Sequence, residues 1–212
     1  ALILAASGTG GVEAAFQNFF SPGEVIITVE GGKFGQRLGQ IARCFGMEVV
    51  EILVEWGEAV DVNLVADALR KYPNAKGVAC VACETSTGVR QPYEAIGEMV
   101  RNRPDCLFVV DGITAVGVWD IDPTRDGIDV LICGSQKASM VPPGLAFVAV
   151  SDKAWKRNEA CTSPRYYFDL AKERKAQCKN QTAYTPAVSL MAGLEEALAM
   201  MQAEGREAMY AR

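Results

Sequence analysis

Apolar positions along this chain fall into two kinds of run. Short, almost wholly apolar stretches alternate with longer ones in which apolar residues return every three or four positions. The short stretches are residues 1–6 (Ala-Leu-Ile-Leu-Ala-Ala), Glu24 to Val29, Met47 to Val54, Gly77 to Cys83, Asp105 to Val110, Ile128 to Gly134, and a last one ending at Val150. Apolar runs of this length, without polar alternation, suit strands covered on both faces. The longer stretches predict helices over Val12–Phe20, from Gly35 to about Phe45 with Gly46 as C-cap, from an Asp61 cap through Tyr72, over Pro92–Val100, and briefly after Ser151. Thr185-Pro186 supplies an N-cap and a first-turn proline for a final helix through Leu190, Leu194, Ala197, Leu198 and Met201. Residues 157–184 are polar and read as irregular. Strands and helices alternating on short links predict a three-layer α/β/α domain with a mostly parallel sheet, spanning 1–212 without repeat or linker.

Composition narrows the function classes. With 212 residues and 50% hydrophobic content, the chain can bury one sizeable core. A net charge of −5, both signs interspersed, leaves no basic footprint for nucleic acid or an anionic membrane. The chain has no histidine, which removes Ser-His-Asp and Cys-His catalysis and most zinc sites, and no metal is expected. There are seven cysteines; Cys80, Cys83, Cys106 and Cys133 lie in apolar runs and read as buried thiols. Cys80-Val-Ala-Cys83 reads as packing on alternate strand faces rather than as a metal or redox pair. Free thiols in this number point to a reducing, cytoplasmic setting. No signal peptide is visible, and no apolar run reaches the roughly 18 residues of a membrane span. The chain opens in an apolar run without Met and closes in a charged helical pattern, so a piece of a longer protein is expected.

Candidate chemistry falls where strands end. Lys137 follows a strand ending at Gly134 and precedes Pro142-Pro-Gly144. An amine beside a buried strand is expected in low-dielectric surroundings, which favour its neutral, nucleophilic form and suit Schiff-base chemistry with an aldehyde such as pyridoxal phosphate (PLP). A solvated loop lysine is the plain alternative. Asp111 directly follows a buried strand, where a carboxylate is costly unless paired. A protonated ring nitrogen would pair it, and capping the next turn would equally explain it. Ser7-Gly8-Thr9-Gly10 opens a helix and offers N–H groups and hydroxyls to a phosphate, or is simply a helix start. Phe34 stands between glycines at a helix start, able to stack on a flat ring or to pack in the core. Thr85 lies in the polar cluster Glu84-Thr-Ser-Thr-Gly88, just past a buried strand. Asp126 and Asp129 read as turn residues.

Taken in this order, Gly8-Thr-Gly10, Gly32-Lys-Phe-Gly-Gln-Arg37, Glu84-Thr-Ser-Thr-Gly88, Val110-Asp-Gly112 and Gly134-Ser-Gln-Lys137 with Pro142-Pro-Gly144 carry a resemblance. The chain resembles the class V aminotransferases, PLP-dependent enzymes of fold type I, above all their alanine–glyoxylate and serine–pyruvate branch. The resemblance implies that Lys137 holds PLP as a Schiff base and later shuttles a proton. It implies that Asp111 pairs with the pyridinium nitrogen and Phe34 stacks on the ring. Ser7, Gly8, Thr9, Gly10 and Gln136 would surround the phosphate, and Thr85 would bond near the ring hydroxyl. Tyr184 and Thr185 match a stretch that in relatives reaches a neighbouring subunit's phosphate, so a homodimer is implied. The expected activity is transfer of an amino group from alanine or serine to a 2-oxo acid such as glyoxylate or pyruvate. The alternatives are a 2-aminoethylphosphonate–pyruvate transaminase, a class V lyase or desulfurase, and a fold kept without a cofactor. Desulfurases usually carry histidines before the lysine and on the ring, where this chain has Gln136 and Phe34. Relatives have an N-terminal segment and a small C-terminal domain with a substrate-binding arginine. The chain is therefore expected to be the large PLP domain alone, with little or no transaminase activity by itself.

Overall fold

The computed structural model describes residues 1–211. Nine strands and eight helices follow one another along them: β1 (Leu2–Leu4), α1 (Gly8–Phe19), β2 (Val25–Glu30), α2 (Lys33–Cys44), β3 (Glu48–Leu53), α3 (Val62–Lys71), β4 (Gly77–Val81), β5 (Cys83–Glu84), β6 (Val89–Arg90), α4 (Tyr93–Arg101), β7 (Leu107–Asp111), β8 (Val130–Gly134), β9 (Ala146–Val150), α5 (Asp152–Ala160), α6 (Leu170–Gln177), α7 (Val188–Glu204) and α8 (Arg206–Tyr210). The main sheet has seven strands in the order β1-β9-β8-β7-β4-β2-β3. From β8 to β3 every pairing is parallel, while β9 runs antiparallel to both its neighbours.

Strands β2, β4, β7 and β8 are buried at every residue. Their alternating side chains therefore feed two cores. Ala79, Val81, Leu107, Val109, Val130 and Ile132 face one way, onto α1, α2 and α5. Val78, Cys80, Phe108, Val110 and Leu131 face the other, onto α3 and α4. The result is the expected α/β/α sandwich. A smaller core joins α7 to the β9 side through Val141, Leu145 and Leu194. Phe45 is the C-cap of α2, and Gly46, expected there, stands one position beyond it at φ 77°. Asp61 caps α3 by accepting the Asn63 N–H at 2.9 Å.

Four readings need correction. The apolar run from Gly77 does not continue as one strand to Cys83. β4 stops at Val81, and Cys83–Glu84 folds into a separate small hairpin with Val89–Arg90. The stretch 157–184 is not irregular throughout, because α6 crosses it. That helix has one apolar anchor, Leu170, and is held by polar bonds. Asn18 Oδ1, wholly buried at the end of α1, accepts the Leu170 N–H at 2.9 Å, and Gln177 bonds both the N–H and the carbonyl of Ile3. α7 begins at Val188 rather than after Thr185, with Ala187 as an N-cap that makes no side-chain bond. Asp129 is more than a turn residue: its buried carboxylate accepts from Phe108 N, Ser151 Oγ and Lys153 Nζ at 2.8–3.0 Å, tying β7 and β8 to the start of α5.

Candidate active site

All the parallel strands point their C-terminal ends at one rim of the sheet, where the loops leave for the next helix. Helix dipoles and unpaired backbone groups gather there, and α/β folds bind ligands at that edge. β7 ends in Asp111, β8 leads to Gln136 and Lys137, β4 to Glu84 and Thr85, and β2 to the start of α2 with Phe34.

Asp111 is 6% exposed. Its Oδ1 accepts one backbone bond, from Ile113 N at 3.0 Å. Burial pushes its carboxyl up to about 6; the Ile113 bond pulls the other way, Glu84 adds to the rise, and the Arg37 and Lys137 charges oppose it.

Hydrogen bonds and ring contacts link the other members. Arg37 Nη1 donates to Thr9 Oγ1 at 3.2 Å, and the guanidinium carbon sits 4.9 Å from the Phe34 ring centroid. The Phe34 ring, half-buried, thus already has one partner within the chain. Thr85 Oγ1 lies 3.1 Å from Thr114 Oγ1, and Thr114 in turn donates to the Cys83 carbonyl. Gly8 packs against the Ile113 side chain, setting the start of α1 beside the Asp111 turn. The α1 N-cap, Ser7, makes no side-chain cap bond, and the first turn holds no acidic residue. Its leading N–H groups and the positive end of its dipole are left for a ligand or solvent. Gln136 Oε1 is buried without a hydrogen-bond partner, the one such side-chain atom among the described residues.

Lys137 departs from expectation. Its side chain is exposed rather than sunk beside the strand, so the burial argument for its reactivity fails for this chain alone. It rides on the β8–β9 connection, in which Met140 takes the left-handed conformation at φ 53°, a strained choice for a residue with a side chain.

Tyr184 and Thr185 do not join this group. They line a separate cleft of about 890 Å³ between the start of α7, α6 and β1. There Tyr184 stacks on Tyr167 with centroids 4.8 Å apart and donates to the Tyr166 carbonyl. Sequence reasoning left two members without a role, Glu84 and Arg37; both stand in quoted motifs, but their partners lie tens of residues away in the chain. Among the described residues no group of three or more His, Cys, Asp or Glu is placed to hold a metal ion, and no helix is long and apolar enough to cross a membrane.

A doubly covered sheet with a lysine, a buried carboxylate and an uncapped helix start on its ligand edge defines a cofactor-domain architecture. The family model for aminotransferase class V matches residues 2–212, and the chain belongs to that family of PLP-dependent enzymes. It is 43% identical over its full length to the soluble hydrogenase 42 kDa subunit of Anabaena cylindrica, covering 56% of that protein. It is 34% identical over 97% of its length to L-aspartate–glyoxylate aminotransferase of Paracoccus denitrificans, covering 53% of it. The crystal structure of an alanine–glyoxylate aminotransferase from Nostoc superposes with a TM-score of 0.93 at 29% identity, over 99% of this chain and 56% of that one. The chain spans little more than half the length of the relatives it matches.

Proposed function

We propose that this chain is the PLP-binding large domain of an aminotransferase that passes an amino group from a small amino acid to a 2-oxo acid. The observation that carries the reading is Asp111, a buried carboxylate at the end of β7 with one backbone bond and no salt bridge among the described residues, on the same sheet edge from which the Lys137 loop leaves β8. A buried carboxylate wants a cation, and a protonated pyridine nitrogen is one.

The residues present fit such a group. The first N–H groups of α1, with no acidic neighbour, suit a phosphate, and Ser7 and Thr9 add hydroxyls. The buried Gln136 Oε1, without a partner, is an acceptor with capacity to spend on a ligand's donor. Thr85, next to Thr114, can serve a ring hydroxyl, and Phe34 a ring face. When bound, PLP supplies an electron sink for charge left on the substrate's Cα. Asp111 would hold the ring nitrogen's proton. Lys137 would hold the aldehyde end and offer its amine to the proton at the substrate's Cα.

Both aminotransferase relatives above are named for glyoxylate, which supports glyoxylate as the acceptor and alanine or aspartate as donor beside the serine that the resemblance implies. Gln136 and Phe34, where histidines would serve a desulfurase, favour transamination. Seven free thiols suit a reducing, cytoplasmic compartment. Tyr184 and Thr185, away from Lys137 in their own chain, are consistent with service in a partner's site, and a homodimer is part of the proposal. Titrating the purified chain with PLP tests it. A visible absorbance band should appear, and Lys137→Ala should abolish it. PLP that binds Lys137→Ala with the wild-type band would refute the assignment.

A further inference from the structure

Glu84 has the least expected environment on the ligand edge. Its carboxylate is 1% exposed and has no salt bridge among the described residues. It accepts instead from backbone and hydroxyl donors on two segments. Phe34 N and Gly35 N, in the first turn of α2, donate at 3.2 and 2.9 Å. Ser86 Oγ donates at 2.6 Å and Ser86 N at 3.3 Å, and Ser86 Oγ itself accepts the Lys33 N–H at 3.0 Å. The α2 N-cap is Gly32, with no side chain to offer, and the first turn contains no acidic residue. The positive end of α2 is therefore capped by groups about fifty residues further along the chain, the Glu84 carboxylate taking two of its N–H groups and the Ser86 hydroxyl a third.

Capping alone does not require this arrangement. A serine N-cap ordinarily satisfies one such N–H group without burying a charge. What Glu84 adds is a joint between two ligand-side segments. On one side its bonds seize the N–H of Phe34. On the other it is followed directly by Thr85, whose hydroxyl meets Thr114, three residues beyond Asp111. The joint is built from both sides: a Cβ on Gly32 would lie 2.6 Å from Glu84 Cδ, Glu84 Cγ and Ser86 Oγ. Glycine is what lets the carboxylate come so close.

We propose that Glu84 is a positioning residue, which fixes the Phe34 ring relative to Thr85 and Asp111 by clamping the first turn of α2 to the Thr85 loop. The proposal rests on the PLP reading above for what the clamp serves, and on the structure alone for the clamp itself.

The test uses the 212-residue chain with Glu84→Ala, Glu84→Gln and, as a destabilised control, Leu69→Ala in the core beneath α3. Three quantities are read: hydrogen exchange at the Phe34 and Gly35 amides without cofactor, the PLP dissociation constant, and the visible circular dichroism per mole of bound PLP. In Glu84→Ala the two amides should lose protection and PLP affinity should fall at least about tenfold, the equivalent of one buried charge-assisted hydrogen bond. The dichroism should change, because the ring is no longer held in one orientation. Glu84→Gln, whose amide oxygen still serves the α2 amides while its NH₂ faces Ser86 Oγ, should restore the protection and most of the affinity. Leu69→Ala should lower the melting temperature and leave affinity and dichroism unchanged. Wild-type affinity and dichroism in Glu84→Ala, or equal losses in Leu69→Ala, overturn the positioning role. If the wild-type chain gives no Lys137-dependent band, the proposed function fails instead. Amide exchange then decides the clamp alone, and unchanged protection in Glu84→Ala overturns it.

Discussion

Asp111→Asn should stabilise the cofactor-free chain at neutral pH. The carboxyl is pushed up to about 6 in the fold from an ordinary 3.8, chiefly by burial. The folded chain thus holds this proton more tightly than the unfolded chain, so protonation favours folding. That stability is fully present below about pH 3.8 and is lost as pH rises through about 6. A shift of roughly two units corresponds to about 3 kcal/mol, close to complete by pH 7 and about half developed at pH 5. Asparagine keeps an oxygen for the Ile113 N–H and carries no charge to desolvate. Urea unfolding of both proteins from pH 4.5 to 7.5 should show the variant's advantage growing from about 1 to about 3 kcal/mol. With saturating PLP the order should reverse, because the wild-type carboxylate then has its cation and the amide has none. An advantage that does not change with pH, or a variant less stable at pH 7.5 without cofactor, would refute the reasoning.

Asn18→Ala should cost about 2–3 kcal/mol, since it strips the Leu170 N–H of its buried acceptor. The loss should appear in thermal unfolding, and limited proteolysis should first cut around α6. A thiol reagent should count Cys44 and Cys178 promptly. Cys80, Cys106 and Cys133 should react only on unfolding, because they are buried, which also pushes Cys106 and Cys133 up to about 11.

The sheet was legible because its strands are apolar on both faces, a pattern that few other environments produce. Asp111 and Lys137 stood out as candidates because they fall at, and three residues past, the ends of buried strands. α6 was not. Leu-Ala-Lys-Glu-Arg-Lys-Ala-Gln carries no apolar stripe, and what holds it is the Asn18 amide some 150 positions earlier. The Glu84 clamp was hidden for the same reason: a carboxylate in a polar cluster gives no sign that its donors are backbone N–H groups of another helix. The start of α7 was misplaced because Thr185-Pro186 has the chemistry of a helix start but sits in the loop ahead of it. Lys137 was expected to be buried because it follows a buried strand, yet its loop turns the side chain outward.

That loop runs from Gly134 to Ala146, which pair directly across the antiparallel β8–β9 ladder. Ser135, wholly buried, staples the two sides: its N–H bonds Leu145 O at 3.0 Å, its hydroxyl donates to Pro142 O at 2.8 Å, and its carbonyl accepts from Val141 N. The link that carries the lysine is moored at both ends to adjacent antiparallel strands. The lysine's reach is the length of its own four-carbon stem, so any aldehyde it captures has to be delivered to a fixed berth.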